Sequence, residues 1–199
     1  DAGGKLSFVA GLYYWESNYD IDLRSWIGFN PDFPGEILDL YQYSEQKTDS
    51  QAVFFEGDYK LTDALTFTLG GRYTEDKKES KQYGMVNTIT DPFTSHPSES
   101  WDEFTPRVGL LYTINDDMMV YGTYSRGFRS GGFNGRVGNL VEARESYDPE
   151  TVDSYEVGIK SEWLDNRLRF NANVFYMEYD DKQEELQLPD DNDTGQKTV

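Results

Sequence analysis

Three tight turns constrain this 199-residue chain more than any other feature: Lys60-Leu61-Thr62-Asp63, Ile114-Asn115-Asp116-Asp117 and Leu164-Asp165-Asn166-Arg167. Each joins two runs in which polar and apolar residues alternate. In the other direction the runs are joined by long polar segments, 16–50, 75–103 and 126–150. Short connections at one end of a sheet and long ones at the other are the layout of a transmembrane β-barrel, with periplasmic turns and extracellular loops. A soluble sandwich has no reason to collect its long loops at one end.

The alternation has a period of two, so the two faces of each strand separate cleanly. In the clearest run Leu65, Phe67, Leu69, Gly71 and Tyr73 share one face, and Thr66, Thr68, Gly70, Arg72 and Thr74 the other. Similar runs occupy 5–15, 53–59, 104–113, 118–128, 154–162 and 168–176. That predicts seven strands of about 9–13 residues, the length that a tilted strand needs to cross hydrocarbon. Pro106 lacks an N–H and is expected near a strand end. Arg72, Arg107, Lys160, Glu162, Arg169, Asn171 and Asn173 fall on the polar faces and are poor residues for a soluble core, because an unpaired buried charge costs several kcal/mol. They are assigned to a water-filled lumen, and the apolar faces to lipid. Tyr59, Tyr73, Tyr112, Tyr155, Trp163, Tyr176 and Tyr179 lie near strand ends. Two readings are open for them: aromatic girdles at the two interfaces, or ordinary tyrosine usage in strands.

Composition fits this reading. Only 37% of residues are apolar, yet 16% are aromatic, which argues against an acidic disordered chain. No apolar stretch of about 18 residues is present to make a transmembrane helix, and a β-barrel does not need one. The absence of cysteine removes disulfides and thiolate metal sites. The net charge of -19 repels nucleic acid, whose phosphates demand the opposite sign. Segments 16–50, 75–103, 126–150 and 178–199 hold 27 of the 37 acidic residues and 11 of the 18 basic ones. They read as solvated loops, or as a surface for cation bridging to lipopolysaccharide or for drawing in a ligand.

Seven strands leave two open edges, which lipid does not tolerate, and single-chain bacterial barrels have an even number of strands. Either an eighth strand hides in 20–50 or 80–100, or the chain is part of a larger barrel. Asn30-Pro31-Asp32-Phe33-Pro34-Gly35, Asp91-Pro92 and His96-Pro97 read as loops, which favours the second choice. No signal peptide stands at Asp1-Ala2-Gly3-Gly4, and the terminal Gln196-Lys197-Thr198-Val199 reads as an interrupted segment. The expectation is a partial barrel domain over 1–199 with both ends truncated.

Two stretches carry a family resemblance. One runs from Val120 through Tyr124-Ser125-Arg126-Gly127-Phe128-Arg129-Ser130-Gly131-Gly132-Phe133-Asn134. The other runs from Tyr147-Asp148-Pro149-Glu150 through Ser154-Tyr155-Glu156-Val157-Gly158-Ile159-Lys160 and on to Tyr179-Asp180-Asp181. Together with Phe67–Tyr73 and Thr105–Leu110, in this order and spacing, they resemble the barrel of TonB-dependent outer-membrane receptors. The resemblance implies an all-β fold: an antiparallel transmembrane barrel of 22 strands, of which this chain would supply about seven. It further implies a bacterial outer-membrane location and import of a scarce nutrient, most often a ferric siderophore. The partners it implies are outer-membrane lipid and lipopolysaccharide, the receptor's own plug domain and the TonB complex. It implies no intrinsic cofactor, only a transported iron complex.

For ligand contact, Arg126, Arg129 and Arg136 stand out among acidic segments, with Gly127, Gly131, Gly132 and Gly135 between them. Arginines bind carboxylates in a bidentate fashion, and the glycines permit positive φ and close backbone approach. The other reading makes this segment rim architecture, with its arginines paired to acids of a plug or loop. Trp26, Phe29 and Phe33 could line an aromatic mouth or pack a long loop. The lone His96 and the scattered aspartate pairs form no catalytic or metal set, so no enzyme is expected. The competing function is a small self-contained barrel, either an adhesin or a passive pore.

Overall fold

The computed structural model describes residues 4–27, 38–86, 92–137, 139–184, 188–189 and 196–197. The chain enters as β1 (Leu6–Ile27), β2 (Leu38–Lys60) and β3 (Leu65–Val86). After the short β4 (Phe93–Ser95) come β5 (Ser98–Asn115) and β6 (Met118–Arg129). The two-residue β7 (Gly132–Phe133) and β8 (Ser146–Tyr147) precede β9 (Glu150–Trp163) and β10 (Leu168–Asp180). Long strands pair antiparallel in the order β1-β2-β3-β5-β6-β9-β10, and β4 pairs with the far part of β3. The sheet is open: among the described residues β1 and β10 are its two edges.

The three expected turns all lie on one edge, and local chemistry builds each of them. Thr62 Oγ1 accepts the backbone N–H groups of Ala64 (3.2 Å) and Leu65 (3.0 Å). Asn115 Oδ1 accepts the N–H of Asp117 at 3.0 Å. Leu164, Asp165 and Asn166 take φ of 55°, 54° and 65°, the left-handed backbone that a tight strand reversal uses. Connections between the other strand ends leave from the opposite edge.

Two of the long polar segments, 16–50 and 75–103, are mostly strand, not loop. β1 runs on to Ile27, β2 begins at Leu38, β3 runs on to Val86 and β5 begins at Ser98. These strands have 22, 23, 22 and 18 residues, against the expected 9–13. The alternation that marks a strand vanishes here because both faces are polar. Opposite charges hold the strands together instead: Glu45 stands across from Lys81, Lys47 from Glu79 and Asp49 from Lys77. Lys81 Nζ lies 3.2 Å from Glu45 across the β2–β3 ladder, and Lys47 Nζ 3.9 Å from Glu16 of β1. Each such cross-strand pair is worth about 0.2–1 kcal/mol. Pro106 likewise sits inside β5 rather than near its end. The last β5–β6 pair is Arg107↔Ser125. From Pro106 back to Ser98 the strand therefore has β3 on one side only, where a missing donor is tolerated.

One register runs through the whole sheet. Leu6, Phe8 and Leu12 lie beside Tyr59, Gly57 and Val53, and these beside Phe67, Leu69 and Tyr73. The row continues through Leu110, Val108 and Phe104, then Gly122 and Tyr124, then Val157 and Tyr155, and ends at Val174 and Tyr176. Every expected apolar-face residue shares this side, and Phe8, Leu12, Val53, Val157 and Val174 are more than half exposed on it. The apolar stretch from Leu65 to Tyr73 covers about 27 Å of strand. Tyr124, Tyr155 and Tyr176 form a ring ladder at one margin, with centroids 5.1 and 6.4 Å apart. Arg72, Arg107, Lys160, Glu162, Arg169, Asn171 and Asn173 all fall on the other side.

Beyond the apolar band, the connection between β6 and β9 folds back on the polar side of β2 and β3. Glutamine and lysine side chains clamp it by its backbone. Gln42 donates to Val137 O (2.6 Å), Gln46 to Phe133 O (2.8 Å), Gln82 to Asn134 O (2.8 Å) and Lys78 to Gly131 O (2.5 Å). Phe133 and Val137 are each 4% exposed beneath it. No glycine of this segment has positive φ among the described residues, where Gly4 alone does. Close approach is what they provide. A Cβ on Gly131 would stand 2.2 Å from Tyr147 O and 2.6 Å from the Trp101 ring. Gly131→Ala should therefore loosen the segment by about 1–3 kcal/mol. Trypsin should then cut faster at Arg136 and Arg144, whereas Gly135→Ala, whose Cβ would lie 3.4 Å from Ser44 Oγ, should cut at close to the native rate.

Candidate ligand cleft

On the polar side the charges are mutually satisfied along most of the band. Arg107 Nε lies 3.4 Å from Glu56 Oε2 although β3 runs between their strands. The residue between them is Gly70, where a Cβ would meet Glu56 at 3.3 Å. Arg169 pairs with Glu162 directly across the β9–β10 ladder. Lys160 sits 5.5 Å above the Tyr121 ring, whose hydroxyl donates to Glu156 at 2.5 Å.

A cleft of about 450 Å³ opens where β5 and β6 part. Its walls are Tyr13 and Trp15 of β1, Ser50 of β2, Arg72, Thr74 and Asp76 of β3, Thr105 of β5, and Arg126–Ser130 at the end of β6. Arg126 bridges the parting. Its Nε and Nη2 donate to Asp153 at 2.9 and 2.7 Å, and Nη1 lies 3.8 Å from Glu103. Tyr124 donates its hydroxyl to the same Asp153 at 2.8 Å. The Arg126 charge is thus compensated within the sheet. Arg129 is exposed at the cleft mouth, and Arg72 lies in its floor with the guanidinium 4.8 Å from the Tyr13 ring and Nε on Thr74 Oγ1 at 2.9 Å. Among the described residues neither Arg72 nor Arg129 makes an ion pair.

Of the arginines read as ligand contacts, the structure brings Arg126 and Arg129 to this cleft and leaves Arg136 exposed on the docked segment. Phe29 and Phe33 lie outside the described residues, and so does the side chain of Trp26. Tyr13, Trp15 and Arg72 were not picked out as ligand contacts. The available signal was the run Tyr13-Tyr14-Trp15. Strict alternation puts Tyr14 on the apolar side and its two neighbours on the polar side, paired with Ala52 and Ser50. Aromatic rings exposed on a charged face do not belong to a lipid girdle. His96 is exposed between β4 and β5. No group of three or more metal-ligating side chains forms among the described residues.

Residues 2–198 match the family described as TonB dependent receptor-like, beta-barrel. The chain is 27% identical over 184 residues to the ferripyoverdine receptor of Pseudomonas aeruginosa, covering 90% of this chain and 20% of that protein. It is 32% identical over 120 residues to the ferric-pyoverdine M114 receptor of a Pseudomonas species, covering 58% of this chain and 13% of that one. In fold it superposes on the ferric yersiniabactin uptake receptor of Yersinia pestis with a TM-score of 0.77 at 21% identity, over 92% of this chain and 27% of that one. The ferric-catecholate import receptor Fiu of Escherichia coli K12 gives 0.68 at 16% identity, over 97% and 30%. These superpositions establish the fold, a partial and unclosed barrel. The chain spans about a fifth of the length of the first of these relatives.

Lys78 beside the cleft is the one lysine clamped under the docked segment, 5.8 Å from the Trp101 ring as well as on Gly131 O. Burial pushes its pKa below the ordinary lysine value of 10.5; Asp76 opposes this and Arg129 adds to it. Docked, the amine holds its proton less well than when the segment is released. Between the lowered value and the ordinary one the released state binds more protons, so docking strengthens as pH rises through that window. Hydrogen exchange at the Phe133 amide, corrected for its intrinsic rate, should show protection growing towards pH 10 in the native chain. In Lys78→Met it should be independent of pH.

Proposed function

Because the chain belongs to the TonB-dependent receptor β-barrel family, we propose that it forms part of the wall of an outer-membrane receptor that imports a ferric siderophore with energy relayed through TonB. The family is one of receptors rather than enzymes. Relatives named for ferripyoverdine and ferric yersiniabactin support the iron cargo. The single observation that carries the reading is the two-sided sheet. An unbroken apolar row exposes one face, and a band of that height is what lipid requires. The opposite face bears arginine, lysine, glutamate and asparagine, which belong to a wet interior. On this reading Arg72, Arg107, Lys160, Glu162, Arg169, Asn171 and Asn173 line the lumen. A plug would stand against them, and lipopolysaccharide would surround the outer margin.

The transport test is uptake of iron-55 chelates by cells that carry the whole receptor and no other. Accumulation should disappear when TonB is deleted or the inner-membrane proton gradient is collapsed. Accumulation that survives both treatments would make the protein a passive pore. The wall assignment has its own test in folding titrations from urea into lipid vesicles. Phe170→Arg should cost about 2–4 kcal/mol if the side chain meets the bilayer midplane. Asn171→Arg, one residue along and on the other face, should cost far less, and equal losses would reject the two faces.

A further inference from the structure

We propose that the connection docked on β2 and β3 encloses a site for one ordered water molecule, held between Ser44 and Gln82 as part of the clamp on that connection. The inference goes beyond the import reading and is independent of the cargo.

Hydrogen-bond accounting is the first argument. Three buried side-chain atoms among the described residues lack a partner: Ser44 Oγ, Gln82 Oε1 and Asp76 Oδ1. Asp76 borders the open cleft. The other two belong together. Ser44 and Gln82 stand directly opposite each other on the β2–β3 ladder and are 2% and 3% exposed. Bulk solvent does not reach them while the connection is docked. Folded interiors rarely leave such groups bare, and ordered water is the usual partner where no protein group reaches. Turning the Gln82 amide over does not help. Its Nε2 donates to Asn134 O at 2.8 Å and to Ser80 Oγ at 3.2 Å. Reversed, the amide would press its oxygen against the Asn134 carbonyl, acceptor against acceptor.

Space is the second argument. The connection passes over this pair with Gly135, which brings no side chain. Chain neighbours aside, a Cβ built there would meet nothing nearer than Ser44 Oγ at 3.4 Å, with Ser44 Cβ and Ile21 Cδ1 at 3.8 Å. Residues opposed on an antiparallel ladder carry Cβ atoms about 4.5–5.5 Å apart. One water closes such a span with two hydrogen bonds of ordinary length.

The donor inventory selects water over an ion. Ile21, Ser44, Gln82 and Gly135 around the seat are uncharged. Both amide hydrogens of Gln82 are spent, so an anion would find one hydroxyl and nothing else. Two neutral oxygens fall far short of the roughly six to eight that a calcium ion takes. Water fits both groups, accepting from the Ser44 hydroxyl and donating to Gln82 Oε1. It then stands beneath Gly135, between the clamps that Gln82 places on Asn134 O and Gln42 on Val137 O.

The test is a crystal structure of the full receptor at a resolution that shows ordered water. One peak should lie within about 2.5–3.0 Å of both Ser44 Oγ and Gln82 Oε1. Hydrogen exchange at the Phe133 amide reads the clamp in solution, with each variant checked for folding by heat-modifiable gel migration. Ser44→Ala should speed exchange by about fivefold, the loss expected for one net hydrogen bond. Gln82→Met removes the bridge together with the Asn134 clamp and should speed it further. In the double variant the change at Ser44 should no longer speed exchange, because the bridge has already lost its other end. A direct Ser44–Gln82 hydrogen bond in the map, or no peak between the two, overturns the proposal. Additive effects in the double variant overturn it as well. None of these results bears on the import reading, which stands or falls on its own uptake test.

Discussion

Everything in this molecule depends on one antiparallel hydrogen-bond ladder that joins all seven long strands. Because side chains alternate along each strand and opposed residues share a face, a single register decides the chemistry of both sides at once. Leu12 beside Val53, Val53 beside Tyr73 and Tyr73 beside Phe104 are consequences of one alignment. A slip of one residue in any strand would carry Arg72 or Arg107 into the apolar row and Leu69 or Val108 into the polar one. The three tight turns pin that alignment from one edge. In lipid the backbone has no water to fall back on, so the ladder must also be complete across neighbouring strands. The unpaired edges of β1 and β10 are the places where further wall has to join.

Outside the apolar band the same ladder is kept by other forces. Neither face meets lipid, so the strands lose their amphipathic contrast and gain opposed charges: Glu45 with Lys81, Asp49 with Lys77, Lys47 with Glu79. Such pairs are weak when exposed, and stiffening comes from the clamped β6–β9 connection. Its carbonyl oxygens at Gly131, Phe133, Asn134 and Val137 are taken by Lys78, Gln46, Gln82 and Gln42. Phe133 packs against Trp101 with ring centroids 6.1 Å apart. The upper part of the sheet is therefore two layers thick on its polar side, while the part within the band is a single sheet.

The sequence revealed whatever one-sided burial leaves behind. The number of long strands, turn positions and the membership of both faces follow from alternation between Leu65 and Tyr73, or between Leu168 and Tyr176, because lipid on one side and polar surroundings on the other force it; the short β4 in 80–100, expected as loop, does not. The upper halves of β1, β2, β3 and β5 left no such trace. Residues such as Asn18, Lys47 and Lys78 face polar surroundings whichever way they point, and Pro31, Pro34 and Asp91-Pro92 announced loops whose flanks turned out to be strand. The cleft was half legible. Arg126 and Arg129 drew notice as basic residues amid acids, but a bidentate bond from Arg126 to Asp153 is a fact of tertiary distance that no spacing encodes. Trp15 went unassigned, because within Tyr13-Tyr14-Trp15 only strict alternation separates it from Tyr14 and sends the two to different sides.

The place of the cleft follows from how the ladder is interrupted. Pro106 falls one residue beyond the last β5–β6 pair, so β5 continues with β3 while β6 continues with β9. Two strands that part on a sheet leave a gap, and a gap with unbonded backbone must be braced. Arg126 does this by reaching Asp153 on β9 and Glu103 on β5 from one side chain. A brace of this kind uses up the carboxylates that would otherwise neutralise neighbouring cations. Arg72 and Arg129 are left lining the gap together with Asp76, Tyr13 and Trp15. The ion pairs of Arg126, which answer to the architectural reading that the sequence posed beside ligand contact, therefore follow from the divergence of β6 from β5.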